Sequence, residues 1–282
     1  MTQARHLLYR AVPAGADSPT APAWAPLPAD AEHLAADGLA GLRWEGSVPS
    51  AEEAAALPED WALASLPHSV AAAPTPLVVT DVDSTLIQQE VIELLAAHAG
   101  REAEVAAVTE RAMLGELDFA QSLHARVEAL TGLPASVVDD VVARVRPTDG
   151  AVELIAAVNA AGGRVCAVSG GFTQVLSPLA ERWGLHAHAA NRLEIVDGAL
   201  TGRVVGDVVD RAAKARMLRH WAAEASLDPA QAVGVGDGAN DVDLLDAAGC
   251  GVALCAKPAL REHAQVVLDV PSLTPLRWLL GL

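Results

Sequence analysis

Three short apolar runs of this chain each end in a polar or glycine-rich turn, and this repeated pattern limits the fold more than any other feature. The runs cover residues 77–80, 163–169 and 232–236, and a shorter fourth run covers residues 251–254. Amphipathic segments with helical periodicity lie between them. This alternation predicts parallel strands that are joined by crossover helices.

The side chains at the ends of the first three runs carry oxygen atoms. Asp81 follows the first run, Ser169 ends the second, and Asp237 follows the third. Parallel strands end at a common edge of the sheet, and ligands bind in the crevice outside that edge. We therefore expect these three side chains to lie close together in one crevice.

The whole pattern predicts an α/β fold with a doubly wound (Rossmann-like) parallel sheet core, an inserted helical cap and a small N-terminal appendage. The main domain is expected at residues 76–282. Helical periodicity without a convincing strand places the cap at about residues 90–146. The dipeptide Asp197-Gly198 predicts a tight turn within a small β-hairpin at about residues 193–206.

Residues 1–75 form an N-terminal region whose role the sequence does not specify, with a small or degenerate regulatory domain as one interpretation. The region is rich in proline and shows only short periodic runs. Trp24, Trp44 and Trp61 each need a place for a large apolar ring. This favours a packed appendage over a disordered tail.

Composition excludes several classes of partner. The 282 residues include 36 Asp plus Glu against 19 Lys plus Arg, and the formal net charge of −17 would repel nucleic acid and anionic membranes. The chain shows neither a secretory signal pattern nor an apolar run of membrane-spanning length, so a cytoplasmic protein is expected. Cys166, Cys250 and Cys255 are predicted to be reduced thiols in the core.

Asp81 and Asp83 are the first candidates for catalysis. They stand two residues apart just past a buried strand, so that one carboxylate can attack phosphorus while the other handles a proton. Taken alone, the same residues also fit an ordinary turn in which Asp and Ser cap the next helix. The downstream motifs decide between these interpretations.

Two further motifs suit an anionic ligand. In Ser169-Gly170-Gly171, the glycines let backbone N–H groups approach an anion, and the serine hydroxyl can donate a hydrogen bond. Lys214 lies on a helix that is expected to begin near Asp210. Alone, the first motif also fits a plain turn, and the lysine also fits a solvated charge.

The run that ends in Asp237 adds a third carboxylate, and Asn240 and Asp241 follow at the start of the next helix. Asp81, Asp83 and Asp237 together form a hard, oxygen-rich donor set. Such a set suits Mg²⁺ rather than Zn²⁺.

These motifs resemble the haloacid dehalogenase-like hydrolase superfamily and, within it, the family of bacterial phosphoserine phosphatases. The resemblance runs from about residue 77 to about residue 264. It is carried by motifs at residues 81–85, 169–172 and 234–241, by Glu90 and Lys214, and by residues 111–119, 122–127 and 256–258.

The resemblance implies a role for each carboxylate. Asp81 would be the nucleophile that forms an aspartyl phosphate, and Asp83 would be the general acid and then the general base. Mg²⁺ would be held by Asp81, by Asp83 through its backbone carbonyl, and by Asp237. Asp241 would orient a metal-bound water from the second coordination shell.

The resemblance also implies the residues that bind the phosphoryl group. Ser169, Gly170 and Lys214 would hold its oxygen atoms, and Asn240 would donate a hydrogen bond at the same site.

The cap would select the substrate. Glu90 would bind an ammonium group and Arg126 a carboxylate, while Met113 and Phe119 would line the apolar side of the cap and exclude water. The implied substrate is the small molecule O-phospho-L-serine, hydrolysed to L-serine and phosphate in the last step of serine biosynthesis.

Two alternative functions stay open at this stage. One is a related phosphatase that acts on another small phosphomonoester such as phosphohomoserine, because Glu90 and Arg126 do not measure chain length. The other is a non-catalytic regulatory protein on the same scaffold, although Asp81, Asp83 and Lys214 are all present. The sequence leaves the oligomeric state open, with a homodimer as one alternative.

Overall fold

Two β-sheets organise the part of the chain that the structure describes. The computed structural model describes residues 3–13, 21–24, 26–113 and 116–282. The side chains of Glu110, Ala112 and Met113 are not among the described parts. The predicted role of Met113 therefore lies outside what the structure describes.

The N-terminal residues form a four-stranded antiparallel sheet with two short helices. The strands are ordered β2-β3-β1-β4 across the sheet. Their bounds are β1 Gln3–Ala11, β2 Glu32–Ala36, β3 Leu39–Ser47 and β4 Ala62–Pro67, and the helices are α1 Ala51–Ala55 and α2 His68–Ala71.

The rest of the chain forms a seven-stranded sheet flanked by helices. Its strands are β5 Leu77–Thr80, β6 Arg164–Phe172, β7 Ala187–Val196, β8 Ala199–Val205, β9 Val233–Gly236, β10 Cys250–Leu254 and β11 Val266–Leu268. The order across the sheet is β11-β10-β9-β5-β6-β7-β8. Every neighbouring pair is parallel except β7 and β8, which form an antiparallel hairpin at one edge.

The helices of this part fall into a cap and a layer around the sheet. The cap helices are α3 Val91–Ala99, α4 Glu102–Met113, α5 Phe119–Glu128 and α6 Val137–Arg144. The remaining helices are α7 Ala151–Ala160, α8 Thr173–Trp183, α9 Arg211–Glu224, α10 Val242–Ala247, α11 Pro258–Arg261 and α12 Thr274–Leu280.

The α/β class predicted from the sequence is confirmed, and the central strands lie where the apolar runs indicated. The first strand, β5, has the predicted bounds, and β9 and β10 differ from prediction by one residue at their first residue. The side chains of Val78, Val79 and Val235 are fully buried. Continuous apolar runs are expected here because helices cover both faces of a parallel sheet.

Strand β6 ends later than predicted from the sequence, and the prediction of a turn at Ser169 was wrong. The strand continues to Phe172 instead of turning at Ser169, with a register shift between these two residues in its pairing with β7. Phe172 is buried and pairs with Asn191, so the strand resumes after a bulge. Cys255 also departs from prediction, because it is exposed just after β10, whereas Cys166 and Cys250 are buried.

The cap is fastened to the edge of the large sheet. Residues 132–135, between α5 and α6, run along β8. Gly132 N–H donates to the carbonyl of Leu200 at 2.8 Å, and Leu200 N–H donates to the carbonyl of Leu133 at 2.8 Å. These bonds fix the position of α5 over the end of the sheet.

The N-terminal sheet buries both of its faces. On one face, Trp24, Trp44 and Trp61 form an apolar cluster with Leu8 and Leu42. On the other face, side chains such as Leu7 and Leu66 join the main core, together with Trp278 of α12. Helix α12 lies between the N-terminal sheet and helix α7.

The central strand offers a test of core packing. Val79→Ala should lower the free energy of unfolding by about 1.5–3 kcal/mol, because the removed methyl groups are fully buried. Val48→Ala is the matched control, since Val48 is 51% exposed, and its effect should stay within about 0.5 kcal/mol. Urea denaturation measures both values, and equal losses would contradict the packing described.

Candidate active site

Asp81 lies at the end of the central strand and is almost completely buried. Its N–H donates to the carbonyl of Val235 at 2.9 Å, which ties the residue to the neighbouring strand β9. Its Oδ1 accepts a hydrogen bond from Val82 N–H at 2.7 Å. Asn240 donates to its Oδ2 at 3.3 Å. The carboxylate is thus held in one orientation at the floor of a cavity.

Asp83 lines the same cavity and is bound by different groups. Its Oδ1 accepts a hydrogen bond at 2.7 Å from the N–H of Val91, the first residue of α3, and its Oδ2 accepts one from Ser169 Oγ at 3.1 Å. Burial, with the nearby charge of Glu90, raises the pKa of Asp83 to about 7. Near neutral pH this carboxyl group can therefore hold or release a proton.

Lys214 is a buried cation between two buried carboxylates. Its Nζ lies 2.8 Å from Asp81 Oδ1 and 2.6 Å from Asp241 Oδ1. Burial alone would lower the pKa of Lys214, but the two carboxylates raise it above its ordinary value. The helix begins where the sequence predicted, because the Asp210 side chain caps it by accepting from Ala213 N–H at 2.7 Å.

Three carboxylates meet beside this lysine. Asp81, Asp237 and Asp241 each offer an oxygen atom within 4.8 Å of the others. Burial and the charges of Asp81 and Glu90 raise the pKa of Asp237 to about 6. Burial and Asp81 likewise raise the pKa of Asp241, while Lys214 opposes the shift. Lys214 pairs with two of the carboxylates and Lys257 acts on Asp237, so three carboxylates face two ammonium groups, and the donor set fits a hard divalent cation.

The third carboxylate of this cluster comes from Asp241, which was predicted to orient a metal-bound water. The side chain of Asp83 is engaged by Val91 and Ser169, and its predicted metal contact through the backbone carbonyl stays a prediction. Asp241 comes this close because Gly236 has no side chain. A Cβ on Gly236 would lie 2.5 Å from Cβ of Asp241.

The end of β6 forms another wall. Ser169 Oγ accepts a hydrogen bond from Gly171 N–H at 2.7 Å while it donates to Asp83. The ring of Phe119 packs on Gly170, where a Cβ would lie 2.9 Å from Cζ of the ring. Asn191, which was not singled out from the sequence, supports this wall. Its side chain donates to the Gly170 carbonyl and accepts from the Val209 N–H, both at 2.8 Å.

The cap contributes charged groups of both signs. Glu90 precedes α3, and its Oε1 accepts a hydrogen bond from Ser84 Oγ at 2.7 Å. Arg126 is half-buried on α5. Burial lowers the pKa of its guanidinium, and the charges of Glu90, Asp83 and Glu93 oppose this shift.

These walls enclose a cavity of about 280 Å³. Most of the predicted site residues line it, namely Asp81, Asp83, Glu90, Phe119, Arg126, Gly170, Asp237 and Asn240. Ser169 and Lys214 lie behind the lining and contact its carboxylates, and Asp241 lies behind it and pairs with Lys214. The structure thus brings together every predicted site residue whose side chain is described.

Among the described residues, three further polar side chains line the cavity but were given no role from the sequence. Glu93 stands three residues after Glu90, so both face the same side of the first turn of α3. Thr109 comes from α4. Lys257 follows β10, and its N–H donates to the Asp237 carbonyl at 3.0 Å. The three-residue spacing of Glu90 and Glu93 could have identified Glu93 from the sequence. Thr109 and Lys257 reach the cavity through tertiary packing, which the sequence does not reveal.

The fold and this arrangement of carboxylates, lysine and glycine-rich turns define a hydrolase class. Residues 78–246 match the haloacid dehalogenase-like hydrolase family. The chain belongs to this family.

Curated and solved proteins sharpen the comparison. The chain is 61% identical over 206 residues to a phosphoserine phosphatase of Streptomyces coelicolor, which covers 73% of this chain and 50% of that protein. It therefore spans about half the length of this relative. The solved structure of a phospho-aspartyl intermediate analogue of phosphoserine phosphatase is 40% identical, with a TM-score of 0.67, over 73% of this chain and 98% of that one.

A further solved structure covers the N-terminal sheet as well. It is a probable phosphoserine phosphatase from Vibrio cholerae in unliganded form, 33% identical, with a TM-score of 0.81 over 98% of this chain and 86% of that one. Among the described residues of the present chain, no helix has the length and apolar character that a membrane span requires.

The environment of Asp83 predicts a pH dependence of stability. Its pKa of about 7 in the folded state lies above the ordinary value of 3.8. Between these values the folded protein holds a proton that the unfolded chain releases. This carboxyl therefore contributes a free energy of unfolding that falls as the pH rises from about 4 to about 7.

Asp83→Asn removes that contribution. In the presence of a metal chelator, the variant should gain stability relative to wild type as the pH rises through this range, as measured by urea denaturation at each pH. A difference between variant and wild type that stays constant from pH 4 to pH 8 would contradict the assigned environment.

Proposed function

We propose that this protein hydrolyses O-phospho-L-serine to L-serine and phosphate through an aspartyl phosphate on Asp81. The observation that carries the proposal is that two aspartates of one cavity have different environments. Asp81 forms an ion pair with the buried ammonium of Lys214, at 2.8 Å. Asp83 has a pKa near 7, which suits proton transfer. Phosphoserine phosphatases among the similar proteins, one of them solved as a phospho-aspartyl intermediate analogue, support this choice.

In the first step, the Asp81 carboxylate attacks phosphorus and forms a new O–P bond. The bond from phosphorus to the serine oxygen breaks, and the carboxylic acid of Asp83 gives its proton to that oxygen. L-Serine leaves, and the phosphoryl group stays on Asp81.

In the second step, a water molecule attacks the phosphoryl group on the face opposite Asp81. The Asp83 carboxylate accepts a proton from this water, and the Asp81–phosphorus bond breaks. Inorganic phosphate leaves, and both aspartates return to their starting protonation states.

Fixed polar groups would stabilise the charge on the phosphoryl oxygens in both steps. Lys214 and Asn240 contact the Asp81 carboxylate, Gly170 lines the same cavity, and Ser169 lies behind the lining beside Asp83. Such groups are held in place before the reaction and need little reorganisation. Phosphoryl transfer depends mainly on this kind of positioning.

We propose Mg²⁺ as the cofactor, held by Asp81, Asp237 and the backbone carbonyl of Asp83. The three converging carboxylates Asp81, Asp237 and Asp241 support a divalent cation at this place. Oxygen donors favour Mg²⁺ over softer metals. When bound, the ion would neutralise phosphate charge and lower the repulsion among these carboxylates.

Charge complementarity supports an amino-acid substrate. Phosphoserine carries an ammonium group and a carboxylate beside its phosphate. In the cavity, Glu90 offers an anion to the first and Arg126 a planar, bidentate donor to the second. Glu93 adds a further negative charge on the Glu90 side of the cavity.

We further propose that residues 76–282 are the catalytic unit and that residues 1–75 form an appended unit, with a small or degenerate regulatory domain as one interpretation. We also propose that the protein acts in the cytoplasm. This location is supported by the three cysteines, all of which are free thiols.

A substrate panel tests the proposed activity. Phosphate release should be fastest with O-phospho-L-serine, slower with phosphothreonine and phosphohomoserine, and slowest with a sugar phosphate. A chelator should abolish it and added Mg²⁺ should restore it. Asp81→Asn should lower kcat by about 10³-fold or more. A better rate on another ester would contradict the substrate, and an active Asp81→Asn enzyme would contradict the nucleophile.

Arg126 offers a separate test of substrate selection. Arg126→Ala should lower kcat/KM for phosphoserine about 10- to 100-fold through the loss of charge-assisted hydrogen bonds. It should leave kcat/KM for phosphoethanolamine, which lacks the carboxylate, within about threefold. Arg101→Ala is the matched control, because Arg101 makes an exposed ion pair with Glu104 in the same cap. Equal losses on both substrates would contradict a carboxylate contact.

A further inference from the structure

A carboxylate at the tip of a hairpin in the N-terminal sheet contacts the first residue of helix α12. Asp37 lies in the turn between β2 and β3, and its Oδ2 accepts a hydrogen bond from Thr274 Oγ1 at 2.7 Å. Thr274 is the first residue of α12 and is fully buried. The contact joins residues that are 237 positions apart in the chain.

The same sheet holds the other end of α12 with two arginines. Arg5 Nη1 donates to the carbonyl of Leu280 at 2.7 Å, and Arg43 Nη1 donates to the carbonyl of Trp278 at 2.8 Å. An acid at the first turn and bases at the last turn match the direction of the helix dipole. The N-terminal sheet therefore fixes α12 at both ends.

The segment before α12 in turn holds the loop that enters α7. Leu273 N–H donates to the Asp149 carbonyl at 2.7 Å, and Ser272 Oγ donates to the same carbonyl at 3.2 Å. The two segments pack without a gap at Gly150, where a Cβ would lie 2.3 Å from Thr274 Oγ1. A shift of α12 would therefore move residues 148–150.

Thr148 links this loop to the active site by hydrogen bonds. Its Oγ1 donates to the Thr85 carbonyl at 2.7 Å, and its N–H donates to the Leu86 carbonyl at 3.0 Å. Thr85 Oγ1 then donates to Asp237 Oδ1 at 3.3 Å. These hydrogen bonds of Thr148 hold residues 81–86, which include both catalytic aspartates of the proposed function.

We propose that the N-terminal sheet positions the catalytic loop, residues 81–86, through Asp37, α12 and Thr148. Asp37, Thr274 and Thr148 are positioning residues, because none of them lines the cavity. The inference rests on the proposed function, in which Asp81 and Asp237 act at the cavity floor. According to this inference, the N-terminal residues affect catalysis as well as packing against the rest of the chain.

Asp37→Gly breaks the first contact without straining the turn. Asp37 has a φ of +54°, which glycine adopts readily. The matched control is Asp197→Gly, since Asp197 also precedes a glycine at a hairpin tip and has a φ of +49°. Both substitutions therefore carry a similar backbone cost.

The full-length variants are assayed with phosphoserine over a range of Mg²⁺ concentrations. Asp37→Gly should lower kcat about threefold to tenfold and raise the Mg²⁺ concentration at half-maximal activity, while KM for phosphoserine stays within twofold. Asp197→Gly should match wild type in all three. A value of kcat and a Mg²⁺ requirement within twofold of wild type for Asp37→Gly would overturn the inference.

A second pair tests the same contact from the other side and leaves the hairpin intact. Thr274→Ser keeps the hydroxyl group and should retain the wild-type kcat, whereas Thr274→Val removes it and should lose kcat as Asp37→Gly does. Equal kcat values for the pair would overturn the inference even if Asp37→Gly failed to fold. Wild-type protein without activity on phosphoserine would instead refute the proposed function.

Discussion

The ion cluster of Lys214 with Asp81 and Asp241 is the interaction on which the site depends. A buried ammonium or carboxylate without a partner costs several kcal/mol, so each member of the cluster requires the others. Lys214 comes from α9, Asp81 from the end of β5 and Asp241 from the turn after β9. The cluster thereby fixes three separate chain segments around one point, and that point is the cavity floor.

Close approach of backbone to side chain makes this arrangement possible. Gly236 leaves room for the carboxylate of Asp241, and Gly171 leaves room for that of Asp83, where a Cβ would lie 2.8 Å from Oδ2. The glycines in these turns therefore make room for the carboxylates of the cavity, in addition to any role in binding an anion. The two aspartates of the catalytic loop reach different environments in consequence, one beside a cation and one beside Glu90.

Much of the core could be predicted because the signals are local. The apolar strand β5 and the Asp210 cap of α9 each depend on a few adjacent residues. The start of β7 could not be predicted, since its alanine-rich sequence has little strand propensity and pairs only because β6 lies beside it. Lys257 and the contact of Asp37 with Thr274 were also missed, because they arise from distant parts of the chain.

Direct location of the phosphoryl group during turnover tests the central claim, that Asp81 is the nucleophile. The enzyme would be mixed with phosphoserine and Mg²⁺, quenched in acid, digested, and examined by mass spectrometry. The account predicts one added phosphoryl group on Asp81, removable by mild alkali. A phosphoryl group on Ser84, Thr85 or Ser169, or active turnover with an unmodified Asp81 in every sample, would contradict it.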